Sequence, residues 1–153
     1  MKFKSEIKSL VFVHMVMLVG EMMFAIIIYV IALQFNSVNN NLNLFKTLQI
    51  IAVVTSLAGV FTAFKIVRQK IQQIQLSNKS FQEKFIEYRS ACVLKYTLLE
   101  APALFCLVGY FLTQNISFLL LFGILFMVLA GQKPTVVIMM HELNVSREDL
   151  MQE

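Results

Sequence analysis

The stretch SLVFVHMVMLVGEMMFAIIIYVIAL, residues 9–33, decides the fold. Roughly 25 apolar residues are enough to cross a ~30 Å hydrocarbon core as an α-helix. Two side chains in it, His14 and Glu21, run against that reading. A carboxylate at the bilayer centre costs at least ~2.5 kcal/mol to insert, so it normally faces other protein or water and marks a function. Glu100 repeats the anomaly within a second apolar stretch, residues 91–113.

Further apolar runs at 47–67 and 116–131 complete a chain that is 58% hydrophobic, with a mean hydropathy of +0.73. A soluble domain of 153 residues has too much surface for its volume to hide that much apolar area. The expected fold is all-α. It is a transmembrane four-helix bundle of two helical hairpins, forming one integral membrane domain over residues 1–153. A cytoplasmic helical extension, 68–90, joins the second and third helices, and an amphipathic cytoplasmic tail follows over 134–153. The fourth run is the shortest, so it is expected to stand nearly upright or to borrow Asn115 and Gln132 at its ends.

The net charge of +4 bears on orientation more than on nucleic acid, which is not an expected partner. Of the 13 basic residues, all but Lys46 fall before the first run, between or just inside the second and third, or after the fourth. By the positive-inside rule both termini and the middle segment are cytoplasmic, which places a multi-pass protein in the cell's plasma membrane. A signal peptide is the competing reading of the N-terminus. The run is too long for that, contains Glu21, and lacks a small-residue cleavage site before the Asn-rich stretch. Cys92 and Cys106 lie on one expected helix, ~21 Å apart at 1.5 Å per residue, too far to bridge.

Between the hairpins the sequence stays helix-friendly. Ser80 followed by Glu83 reads as a capping box that starts a new helix near Phe81. The second and third helices are therefore expected to leave the membrane as a short antiparallel pair with its turn at 77–80. Ile66, Ile71, Ile74, Phe81, Phe85 and Ile86 would form its seam; a solvated basic loop against anionic headgroups is the other reading. The first hairpin turns through Asn36, Asn39, Asn40, Asn41 and Asn43, the second around Gln114 and Asn115. Lys133-Pro134-Thr135 stops the last span. Residues 136–143 have an apolar face suited to the membrane interface, and Ser146 with Asp149 can cap a last short helix.

An 81-residue shift lays Leu18 on Leu99, Phe24 on Phe105 and Tyr29 on Tyr110, a weak internal similarity between the hairpins. It does not superpose the two acids. No GxGxxG, P-loop, CxxC or HExxH pattern occurs, and His141-Glu142 lacks the second histidine of a zinc motif. No cofactor or metal is expected, and with no nucleophile–base pairing neither is an enzyme.

The chemistry therefore rests on the intramembrane polar groups. Seven residues separate His14 from Glu21, which puts them on one helix face with Met17, Phe24, Ala25 and Ile28. Arg89, Tyr96, Glu100, Ala103 and Leu107 make a comparable stripe on the third helix. Both helices start from the cytoplasm, so both carboxyls lie near the midplane and can face one another. Pro102 deprives the Leu98 carbonyl of its usual partner and leaves it open to a proton from Glu100. Gly20 would admit a neighbouring backbone beside Glu21. Thr55, Gly59 and Thr62 make a small polar stripe whose hydroxyls can reach a carboxyl. Burial disfavours charge, and one acid disfavours another, so the expected resting state is neutral or shares one proton. The candidate proton or cation site is Glu21 with Glu100, surrounded by His14, Thr55, Tyr96 and Pro102. Two readings stay open: an exchangeable ion site, or protonated acids that only hold helices together. A rival function is a non-catalytic scaffold or assembly subunit that binds partners through its cytoplasmic hairpin and tail. Expected partners are the lipid bilayer and further copies or subunits of a membrane complex.

The segment Tyr96-Thr-Leu-Leu-Glu100-Ala-Pro-Ala-Leu-Phe105, with Lys133-Pro134-Thr135, resembles a family of small uncharacterised bacterial four-helix integral membrane proteins. That resemblance covers most of the chain and implies a bacterial inner membrane, but no activity. More remotely, the chain is similar to the proteolipid subunits of rotary ATPases. Those carry their acid on the returning helix and have a glycine-rich inner helix. Here the acids are on outgoing helices and the 5 glycines are scattered.

The orientation is directly testable. A cysteine placed at Asn40 should react with a membrane-impermeant maleimide in intact cells, and one placed at Asn78 only after lysis. The reverse pattern would overturn the assigned topology.

Overall fold

The computed structural model describes residues 2–34 and 42–143, together with the side chains of most of them. Of the expected Asn-rich loop, Asn36 to Asn41 lie outside the described residues, as does the Ser146–Asp149 cap, whereas Asn43 is not in a loop but in the first turn of the second helix, which begins at Leu42. Five helices make up the described chain: α1 (Lys2–Gln34), α2 (Leu42–Leu76), α3 (Phe81–Thr113), α4 (Ile116–Ala130) and α5 (Val136–Leu143). No strand occurs among the described residues. Helices α1, α2 and α3 are long and apolar enough to cross a membrane. Helix α4 is apolar but has only 15 residues, a rise of ~22 Å, so it falls short of the ~30 Å needed to span unaided.

The ends of the helices follow local chemistry. Ser80 caps α3: its backbone N–H donates to Glu83 Oε2 at 3.0 Å, and its hydroxyl accepts from the Glu83 N–H at 3.4 Å. Between α3 and α4, Gln114 takes a left-handed conformation (φ 51°), and its N–H donates to the Tyr110 carbonyl at 2.7 Å. Asn115 then caps α4 by accepting from the Ser117 N–H at 2.9 Å. Both connections fall where turn residues cluster in the sequence.

Helices α1, α2 and α4 pack chiefly against α3. Association of apolar helices in lipid depends on close packing, because lipid tails are as apolar as leucine. Small residues provide it. A Cβ on Gly59 of α2 would stand 3.0 Å from the Leu98 carbonyl oxygen and 3.1 Å from Pro102 Cγ. A Cβ on Gly109 of α3 would stand 2.6 Å from the Phe118 ring of α4. The buried stripe of α2 runs Ala52, Ser56, Ala63, Val67, one residue around the helix from the Thr55–Thr62 stripe expected. Gly20, expected to admit another backbone, is exposed and has open space around it.

Two apolar clusters result. One, toward the α2–α3 turn, gathers Leu10, Val67, Ile71, Ile74, Phe85, Tyr88 and Leu129. The other, toward the α3–α4 turn, gathers Ala25, Ala52, Cys106, Leu107, Phe118 and Phe122. The expected extension seam is corrected in part. Ile71, Ile74 and Phe85 are buried, but Ile86 is 66% exposed and Tyr88 takes the place expected for it; the Phe81 side chain lies outside the described ones. Helix α5 does not simply lie along an interface. Met139 and Leu143 are buried in the first cluster. Its end is clamped by Tyr88, whose hydroxyl donates to Glu142 Oε2 at 2.6 Å, and by Gln75, whose amide donates to the Glu142 carbonyl at 2.7 Å.

Phe118 is itself buried and cannot swing away from a new methyl group. Gly109→Ala is therefore expected to destabilise by about 1–3 kcal/mol, outweighing the ~1 kcal/mol that alanine gains in a helix interior. Gly20→Ala keeps that gain. Unfolding in mixed micelles followed by circular dichroism checks this, and equal midpoints for the two variants would contradict the packing described.

Candidate functional site

Helix α1 is apolar on every side, so its polar residues reveal which face is inward. The buried positions are Ile7, Leu10, His14, Glu21, Ala25 and Ala32. Their spacings of three, four and seven trace a single stripe along the helix. Met15, Val16, Val19, Met23 and Ile26 face outward. His14 and Glu21 thus occupy two seam positions where an apolar side chain would otherwise sit.

Three contacts set the register of α1 on α3. The His14 and Tyr96 rings lie 4.8 Å apart and tilted by 51°. Tyr29 stacks on Tyr110 at 6.3 Å. The Gln114 side-chain amide donates to the Ala32 carbonyl at 2.9 Å. The helices therefore run parallel, and Glu21 stands level with Pro102 and Ala103. Glu100 lies about two residues away in height, ~3 Å at 1.5 Å per residue. It is the acidic residue nearest to Glu21 in height. The two carboxyls are thus close in depth, Glu21 at 1% exposure and Glu100 half-buried.

Glu21 and His14 are both enclosed and unsatisfied. Neither carboxyl oxygen of Glu21 and neither ring nitrogen of His14 makes a hydrogen bond. A buried polar group without a partner costs about 1–3 kcal/mol, and such groups are few in native proteins. His14 lies seven residues from Glu21, ~10 Å along the axis, too far for a direct bond. The Ala130 backbone is the polar group that approaches the His14 ring as a weak hydrogen-bonding partner, short of good bond geometry, and Lys95 and Lys133 are its charged neighbours.

The remaining expected members are placed differently. The Tyr96 ring supports His14, but its hydroxyl turns to the Gln132 carbonyl at 3.3 Å and not to a carboxyl. Thr55 is exposed and donates to the Ile51 carbonyl of its own helix at 2.7 Å. Pro102 is buried against Gly59, and the Leu98 carbonyl it frees is covered by α2 rather than left open to Glu100. Ser56, which the sequence reading passed over, is the buried hydroxyl of α2. It donates to the Ala52 carbonyl at 2.6 Å and neighbours Cys106. The small-residue spacing Ala52, Ser56, Gly59, Ala63 was the signal for it. Among the described residues no three His, Cys, Asp or Glu side chains come together as a metal site. Both cysteines are free and buried.

Glu21→Met keeps the side-chain length while removing the two orphaned oxygens. It is expected to stabilise the fold by about 1–3 kcal/mol, seen as a raised unfolding midpoint in detergent. A lowered midpoint would mean that the carboxyl holds the helices together. Set against protein-family models, curated proteins and solved structures, the chain finds no match in any of the three comparisons.

Proposed function

We propose that this is a small integral membrane protein, a four-helix bundle with cytoplasmic termini in the cell's inner membrane. In it Glu21 and Glu100 form one proton- or cation-binding site. The observation that carries the reading is the Glu21 carboxyl, enclosed by helices at mid-span with no hydrogen-bond partner. A structural hydrogen-bond donor would be expected to have an acceptor. An ionisable side chain buried within a spanning segment marks a proton or ion site by default. Glu100, half-buried at nearly the same height, is the partner that shares or relays the charge.

His14 gives the site a direction. It lies on the Glu21 stripe one step nearer the end of the bundle where Lys95, Gln132 and Lys133 gather around a small polar cleft of about 70 Å³. Its ring is held only by the Tyr96 contact and a weak approach of the Ala130 backbone, which suits it to pass a proton between that cleft and the acid pair. Water would complete the path, since ordered water serves polar groups that lack a protein partner.

The scaffold reading draws on a separate observation. Helix α5 is clamped on the α2–α3 extension while Val137 and Ile138 stay 74% and 47% exposed, an apolar edge that a partner could cover. Infrared difference spectroscopy on the reconstituted protein separates the two. The proton-site reading expects a protonated-carboxyl band that titrates within roughly pH 5–10. That band would be lost in Glu21→Gln and displaced in Glu100→Gln. A carboxyl signal unresponsive to pH in wild type and both variants would leave the scaffold.

A further inference from the structure

Helices α2 and α4 both lean on α3, and between them the outer surface carries a groove of about 840 Å³. Phe61 and Phe64 of α2 and Leu121 and Ile124 of α4 form its walls. These are not core residues: Phe61 is 67% exposed and Ile124 62%. At one end the wall changes character to Lys65 and Arg68, with the amides of Gln69 and Gln72 just beyond. No acidic side chain lines the groove. Among the described residues neither cation is ion-paired, the one pair formed being Lys79 with Glu87. The Lys65 ammonium folds back over the Phe61 ring at 5.8 Å, at the border between the apolar and basic parts.

We propose that this groove holds one anionic glycerophospholipid. Its acyl chains lie against Phe61, Phe64, Leu121 and Ile124, and its phosphate is held by Lys65 and Arg68. Three features favour this occupant over another helix. The basic end is unneutralised, so an apolar partner helix would cover two charges with nothing to balance them, whereas a phosphate balances them and accepts from the guanidinium fork. From Ser56 to Gln72 α2 rises ~24 Å, close to one leaflet with its headgroups, half of the ~40–45 Å bilayer. The volume also falls within the ~300–1,000 Å³ typical of ligand clefts. The basic end of the groove belongs to the face that carries most of the chain's lysines and arginines. A face of that kind meets the anionic leaflet.

The test uses the full chain in phosphatidylcholine vesicles containing spin-labelled phosphatidylglycerol or spin-labelled phosphatidylcholine, reading the motionally restricted fraction. Phosphatidylglycerol is expected to be held about fivefold more strongly, or better, since one cation near the surface is worth about that factor. K65Q/R68Q should erase the preference, while K70Q/K84Q, which lies off the groove, should keep it. Ile124→Trp fills the groove from an exposed position and should remove the restricted phosphatidylglycerol component without loss of helicity. Four results would overturn the proposal: no preference between the two lipids, an equal loss in both double variants, no effect of Ile124→Trp, or disulfide cross-linking between copies carrying L57C and I124C. The last would assign the groove to a second copy.

Discussion

The close approach of α2 and α4 to α3, at Gly59 and at Gly109, is the constraint on which the remaining architecture rests. Apolar helices in lipid gain nothing from hiding apolar surface that lipid would cover equally well, so contact has to be made at short range. The two glycines make room for it: one faces the backbone and proline ring at Leu98 and Pro102, the other the ring of Phe118. What they build is a surface on α3 and α4 against which α1 lies. Only because that surface exists can one stripe of α1 be enclosed while the rest of the helix stays open.

That enclosure shuts two polar residues of α1 away from solvent. Glu21 on a lone helix would turn toward water or pair with a headgroup. Held between α1 and α3, it has neither, and Glu100 is the acid that shares its depth. His14 is caught in the same seam, with the Tyr96 ring against it rather than a hydrogen bond. The orphaned carboxyl of Glu21 on that stripe is a standing cost of about 1–3 kcal/mol. The polar end of the molecule is built in the opposite manner: Tyr88, Gln75 and Glu142 satisfy one another and fasten α5 to the extension.

The outer face follows the same separation of roles. The groove between α2 and α4 arises because α4 is short and because both helices are held by α3 rather than by each other. Its apolar wall and its cationic end come from a single change along α2, where the aromatic and aliphatic run gives way to Lys65 and Arg68. The inward face of that helix carries the packing and the outward face carries chemistry suited to the bilayer.

Much was legible in the chain itself, because it depends on neighbours in sequence. Three long apolar helices, the Ser80–Glu83 capping box and the turn at Gln114 and Asn115 follow from hydropathy and caps, although α1 and α2 begin earlier, at Lys2 and Leu42, than the apolar runs at 9–33 and 47–67. The inward face of α1 was legible from His14 and Glu21, but α2 offers small and polar residues on adjacent faces, Thr55 beside Ser56 and Thr62 beside Ala63, and its sequence does not choose between them. The expected stripe therefore missed by one residue, which put Thr55 outside and Ser56 inside. The destinations of hydroxyls and carbonyls were likewise a tertiary matter. Tyr96 turned to Gln132, and the Leu98 oxygen was covered by Gly59, because what a polar group reaches depends on which other helix arrives beside it.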